Sequence, residues 1–409
     1  MTSRLVLNHR TSPLPADARP GPQVHAFHQR LPGYTPTPLR DLPALAAATG
    51  VGRVLVKDES SRLGLPAFKV LGASWATYRA LVGRMGGEPD WTTLDQLASA
   101  VADRLGPLRL VAATDGNHGR AVARMARLLG LSATILVPEG TAEARIDGIA
   151  SEGAEVVVVP GTYDDAVTMS AGMAGERDVV ISDTSWPGYQ DVPGWVIEGY
   201  STIFAEIDAQ LAVPDDDADG PDDGHVPVTD DRVEVTDDGV AVRSPAVVDV
   251  AVVPLGVGAL GASTAACLRA GRDPADGPLL VGVEPTTAAC VAAAVEAGHL
   301  VEVPGPHRSI MAGLNCGLAS MLALPTVTAA FDAFVAVDDD RCRAAMRALA
   351  EAGMDVGETG AAALAGLMAV VDEHRAELPI PEQATALLLA TEGVTDPANF
   401  QRIVGRPPR

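Results

Sequence analysis

Lysine is nearly missing from this 409-residue chain: of 30 basic side chains only Lys57 and Lys69 are lysine, and the other 28 are arginine. An ammonium can shed its proton and become a nucleophilic amine, which a guanidinium in practice cannot. A lysine kept against such a drift points to chemistry at the amine, with a remnant of the drift as the alternative. Cysteine is scarce as well. Cys267, Cys290, Cys316 and Cys342 lie far apart, with no C-x-x-C and no histidine pairing, so no metal site is expected. Positive charge is in deficit, and a net charge of −23 argues against nucleic acid or an anionic membrane surface as partner. Long apolar runs are lacking too. "AVVDVAVVPLGVGALGA" is broken by Asp249, Pro254 and three glycines and is too short to span a bilayer. The opening "MTSRLVLNHRTSPLPADARPGP" holds no apolar core of signal-peptide length, so a cytoplasmic location is expected.

What is present is a globular composition, 47% hydrophobic and 20% charged, long enough for ample core. Short β-branched runs at 53–58, 108–114, 132–138, 154–160, 178–183, 248–256, 279–285 and 385–391 read as strands. Between them lie helical stretches near 72–86, 118–130, 141–151, 163–175, 195–211, 258–270, 286–298, 340–352 and 359–375. This alternation predicts an α/β fold with mainly parallel, helix-covered sheets, and the strand count predicts two lobes. Residues 213–245 stand apart, with eleven acids against Arg232 and Arg243, or −9 of the net charge. They read as an acidic surface insertion. Within it "RVEVTDDGVAVRS" alternates around Asp-Asp-Gly and predicts a hairpin.

"VDVAVVPLGVGALGAS" is a buried strand, a turn carrying Gly256, Gly258 and Gly261, and a helix start. Such a turn lets backbone approach an oxyanion, and the helix N-terminus adds unpaired N–H groups. A bound phosphate is expected, with a ligand-free tight turn as the alternative. The spacing also equals the dinucleotide fingerprint, and Glu284 lies near the distance expected for a ribose-binding acid, so a nicotinamide oxidoreductase remains a rival.

An amine and a phosphate cradle in one chain suggest pyridoxal phosphate. "KDESSRLGLPAFKVLGAS" (57–74) resembles the lysine segment of fold-type II pyridoxal-phosphate enzymes, in which Lys69, after Phe68, is the imine-forming residue. By the same resemblance Lys57 is structural, retained through ion pairs with Asp58 and Glu59. "ATDGNHGRA" (113–121) is similar to the family's Ser-x-Gly-Asn-His loop. The resemblance implies that Thr114, Gly116, Asn117 and His118 supply hydroxyl and backbone donors to a substrate carboxylate. It implies also that Asn117 holds the cofactor's phenolic oxygen, and that Gly256, Val257, Gly258, Ala259 and Gly261 seat its phosphate. Asp115 departs from the threonine dehydratase pattern, which has a small residue there. A carboxylate beside a bound carboxylate is unfavourable unless it handles a proton, and capping the following helix is the alternative role. With that departure, "ISDTSWPGYQDVPGWVIEGY", "SIMAGLNCG", "GETGAAALAG" and "LATEGVTDP" together resemble the diaminopropionate ammonia-lyase family from about Tyr34 to Pro397.

The resemblance implies β-elimination of ammonia from 2,3-diaminopropionate, D or L or both, giving pyruvate and two ammonia. A serine or threonine dehydratase and a non-catalytic cofactor-binding protein are the alternatives. Asp115 and Asp183 would serve opposite enantiomers, although Asp183, at a strand end, also suits a capping role. Tyr163 and Glu358 match family positions near the site. The pyridine nitrogen would meet Thr391, because Ala390 fills the slot where the family has serine. Cys290 and Cys316 are either two thiols or a disulfide. The expected division is a large cofactor-binding lobe at 1–76 and 186–409 and a small lobe at 77–185, in a homodimer.

Overall fold

Residues 3–114, 116–212, 233–235, 241–243 and 248–409 are described by a computed structural model. Thirteen strands run through them: β1 (Arg4–Leu7), β2 (Leu39–Asp41), β3 (Arg53–Asp58), β4 (Arg109–Ala113), β5 (Ser132–Pro138), β6 (Glu155–Val159), β7 (Asp178–Val180), β8 (Val233–Val235), β9 (Ala241–Arg243), β10 (Val250–Pro254), β11 (Leu279–Pro285), β12 (Ala333–Val337) and β13 (Thr385–Ala390). Seven of them form one sheet in the order β1-β12-β11-β10-β13-β3-β2, and four form another in the order β6-β5-β4-β7. The smaller sheet is wholly parallel. The larger is parallel from β12 to β3, with antiparallel β1 and β2 at its edges. Every residue of β10 and β13 is buried, as expected of central strands covered on both faces. β8 and β9 pair antiparallel, so the expected hairpin strands are present, while the turn and the acidic run lie outside the described residues. Asp115 lies outside them too.

Sequence runs located the interior strands well; β5 and β11 coincide with the apolar runs at 132–138 and 279–285. β1, β2 and β12 were not expected. Two are three- or four-residue edge strands whose conformation comes from pairing, and the five residues of β12 are too few to separate from a helix start. The single helix expected at 195–211 is two, Asp191–Gly199 and Ser201–Leu211. Their junction follows from close packing. A Cβ on Gly199 would sit 2.5 Å from the Leu71 carbonyl oxygen, and one on Gly72 would sit 2.6 Å from the Tyr200 ring. Glycine at both positions lets the helix Lys69–Met85 lie directly on the Asp191–Gly199 helix.

The expected partners of Lys57 are corrected. Successive strand side chains point to opposite faces, so Asp58 turns away from Lys57 and pairs with Arg40 at 2.8 Å. Glu59 pairs with Arg62 at 2.5 Å. Lys57, fully buried, instead meets Glu206 at 2.8 Å and donates to the Thr37 carbonyl at 2.6 Å. Glu206 also takes Arg62 at 2.6 Å. Removing one partner of such a buried set typically costs about 3–5 kcal/mol, because a desolvated charge is left uncompensated. Lys57 is therefore a tie between β3 and the Ser201–Leu211 helix.

Candidate active site

The helix carrying Lys69 begins at that residue, after Phe68 in helical conformation and with no side-chain cap. The preceding loop is stitched to the end of β13: Phe68 N donates to the Thr391 carbonyl at 3.4 Å, and Ala67 forms an antiparallel bridge with Glu392. Lys69 is thereby fixed at the C-terminal edge of the larger sheet, and its Nζ reaches across to the smaller one. There it donates to Asp183 Oδ2 at 2.7 Å. Tyr163 Oη donates to the other oxygen of Asp183 at 3.0 Å.

Asp183 is 6% exposed. Burial alone would raise its carboxyl, but the Lys69 ammonium, His118 and the hydrogen bonds of Lys69 and Tyr163 outweigh that and hold it well below the carboxylate range. The expected capping alternative for Asp183 has no support among its described contacts, which are Lys69, Tyr163 and, at 4.0 Å, the ring of His118. Burial lowers the His118 pKa more than Asp183 raises it. The ring is neutral near pH 7, and its Nε2 donates to the Ile181 carbonyl at 2.8 Å. One ring nitrogen of His118 is thus committed to the scaffold, while Nδ1 is buried on the Asp183 side without a hydrogen-bond partner among the described residues.

Thr114 Oγ1 accepts from Gly116 N at 2.9 Å and Gly119 N at 3.0 Å, shaping the turn into the helix Asn117–Leu128. Gly116 has φ +147°, a conformation only glycine takes readily. Asn117 follows it and faces the same cleft as Lys69.

Opposite lies the glycine turn. β10 ends at Pro254, and the helix Ala259–Arg269 starts after Gly258, whose φ of +98° needs glycine. No side chain caps that helix, so its first N–H groups face the cleft unpaired by side chains. Gly256 serves close approach, since a Cβ there would lie 3.1 Å from the Gly313 carbonyl oxygen. Gly261 is different. Its Cβ would lie 2.6 Å from Leu255, so its lack of a side chain packs the helix on the strand, and it does not itself line the cleft. Glu284 is corrected as well: it accepts from Val291 N and Ala292 N at 2.8 Å each, capping the helix Cys290–Ala297. Burial pushes its carboxyl up to about 8, against those two donors. An acid committed in this way is not free to bind a ribose, and the dinucleotide alternative loses its second feature.

Thr391 lines the cleft, donating from its hydroxyl to the Thr359 carbonyl at 3.3 Å. Glu358 does not line that cleft. It borders an adjoining vestibule of about 800 Å³, which Tyr163 shares, and accepts from Asn399 Nδ2. All four cysteines are buried thiols and none is in a disulfide, and Cys290 Sγ donates to the Gly256 carbonyl at 3.6 Å.

One charged cleft residue escaped the sequence reading. Glu392, 1% exposed, accepts from Asn117 Nδ2. Its place directly after Thr391 in "ATEG" was visible, but its partner lies 275 positions away.

These groups fit an aldehyde cofactor with an anionic tail. A lysine amine held by a carboxylate faces an uncapped helix N-terminus across one cleft, and a hydroxyl (Thr391) and an amide (Asn117) line the space between.

Comparison with known proteins agrees with that chemistry. The pattern of the family described as "Pyridoxal-phosphate dependent enzyme" matches residues 30–221 and 240–392. Diaminopropionate ammonia-lyase of Escherichia coli strain K12 is 32% identical, covering 97% of this chain and 94% of its own. The enzyme of that name from Salmonella typhimurium strain LT2 is 31% identical, covering 94% and 91%. The crystal structure of the Escherichia coli enzyme in complex with D-serine superposes with a TM-score of 0.83 at 28% identity, covering 98% of this chain and 97% of that one. The lysine, the glycine turn and the order of strands thus have one common explanation: the chain belongs to the pyridoxal-phosphate dependent enzymes, in the branch of the diaminopropionate ammonia-lyases.

Proposed function

We propose that this chain removes ammonia from 2,3-diaminopropionate, consuming one water and yielding pyruvate and two ammonia. The observation that carries the reading is the 2.7 Å contact of Lys69 with Asp183 across the cleft from the uncapped glycine-turn helix. The likeness to diaminopropionate ammonia-lyases over nearly the whole chain supports the substrate. Pyridoxal phosphate, when bound, supplies an electron sink for negative charge at the amino acid's Cα.

Lys69 would hold that cofactor's aldehyde carbon and the turn at 256–259 its phosphate. Asn117 and Thr391 would meet the ring. Asp183 is held low chiefly by the charge of Lys69. Once that amine is engaged and uncharged, burial governs the carboxyl and raises its proton affinity, which suits it to take a proton from Cα. Asp115 serves the opposite enantiomer in the same reading, on the strength of the family likeness. Tyr163 holds Asp183 in place, and Glu358 guards the vestibule rather than touching the reacting atoms. Thr114, Gly116 and the backbone at His118 receive the substrate carboxylate.

The lobes at 1–76 with 186–409 and at 77–185, the cytoplasmic location and a homodimeric assembly belong to this proposal. The two separate sheets support the first, and the family likeness the last. No helix among the described residues is long and apolar enough to cross a membrane.

The test is pyruvate and ammonia release from D- and L-diaminopropionate, against serine and threonine, with Lys69→Ala as control. Turnover of serine or threonine above either diaminopropionate would replace the reading with a dehydratase.

A further inference from the structure

Glu392 follows β13 of the larger sheet, and its carboxylate reaches two helices of the smaller lobe. Oε2 accepts from Asn117 Nδ2, at the start of the Asn117–Leu128 helix. Oε1 lies 3.5 Å from Arg145 NH2, in the helix Glu143–Ala150, and accepts from Thr359 N at 3.3 Å. Both charged side chains are at least nine-tenths buried, Glu392 at 1% and Arg145 at 9% exposure. The backbone of Glu392 is clamped as well. A Cβ on Gly360 would lie 2.2 Å from its carbonyl oxygen, and Gly357 N donates to that oxygen at 3.2 Å. The carboxylate therefore has little freedom to move.

An ionised carboxylate only accepts hydrogen bonds, whereas an asparagine amide has an accepting and a donating end. Glu392 can pair only with the donating end of Asn117. We infer that Glu392 is a positioning residue: it fixes the rotamer of the Asn117 amide so that its second N–H, and not its oxygen, is offered to the cofactor. Arg145 compensates the buried charge that this requires. The inference rests on the proposed cofactor chemistry. It adds that the orientation of the ring contact is set from the far side of the cleft, 275 positions away in sequence.

The test uses holoenzyme of the wild type, Glu392→Gln, Asn117→Ala and the double variant. Three quantities are read: the visible absorption maximum of the bound cofactor, its rate of loss on dilution, and Tm. Glutamine keeps the shape but can either donate or accept, so the Asn117 amide is released to turn. Both single variants are expected to move the maximum and to speed cofactor loss on the order of tenfold, as is usual when the partner of a ligand-holding group is removed. The double variant is expected to behave as Asn117→Ala does, because Glu392 acts through that amide. A Glu392→Gln enzyme with lowered Tm but wild-type maximum and cofactor retention would overturn the inference, as would additive effects in the double variant. Should Glu392→Gln not fold, Glu392→Asp withdraws the carboxylate by one methylene while keeping the charge, and the same outcomes decide. A wild type without any visible band would instead defeat the proposed function, which separates the two failures.

Discussion

Lys69 Nζ and Asp183 Oδ2 stand 2.7 Å apart, joining an amine beyond β3 of the larger sheet to a carboxylate beyond β7 of the smaller one. The pair fixes the state of both residues. The carboxyl is buried yet ionised, and the amine is held in one direction.

The first prediction concerns the amine. Lys69→Ala is expected to abolish turnover and leave no cofactor fixed to the chain after borohydride treatment, as read by peptide mapping. In the wild type the label should fall on the peptide containing residue 69 alone. Labelling elsewhere would refute the assignment.

The carboxylates should divide the enantiomers. Asp183→Asn is expected to lower kcat for one enantiomer of diaminopropionate by about 10²–10⁴-fold, the usual contribution of a positioned acid or base, and to affect the other much less. Asp115→Asn should show the reverse preference. Steady-state pyruvate release on the separate enantiomers checks both, and equal losses on the two substrates would count against two proton acceptors.

Packing behind the site should matter as much as contact within it. Gly199→Ala forces a methyl against the Leu71 carbonyl and the Gly72 backbone, at 2.5 and 2.7 Å. Backbone must move, and a cost of about 1–3 kcal/mol is expected, measured by denaturant unfolding. Since Leu71 is two residues from Lys69, cofactor retention should fall with it.

Glu284 gives a pH signature. Its folded pKa, raised to about 8 from 4.5, lies above the unfolded value. Its contribution is therefore complete below pH 4.5 and is lost as pH rises through 8. Glu284→Gln, which cannot ionise, should lack that loss. The Tm difference between variant and wild type should shift in the variant's favour from pH 5 to pH 9. A constant difference would show that the carboxyl titrates normally.

Much of this site was legible in the chain because it is local. The lysine after Phe68, the turn at 256–261 and the loop at 113–121 are each continuous segments whose residue types state their chemistry. Asp183 was readable as a strand-end acid, yet its link to Tyr163 and His118 exists only where the ends of β4 and β7 meet neighbouring helices. Glu392 was hidden for the same reason, and Glu284 was misjudged because spacing alone says nothing of a helix N-terminus folding back over it. The partners of Lys57 were misjudged because adjacent residues on a strand face apart.

The sealing of Lys57 has a consequence for selectivity. Reactive carbonyl compounds seek side-chain amines, and in most proteins they find many. Here one of the two is enclosed with no exposed surface, while Lys69 keeps 21% of its side chain open toward the cleft. An aldehyde approaching this molecule meets a single side-chain address. The arginine-for-lysine drift therefore leaves the cofactor without a competing lysine to which it could be lost.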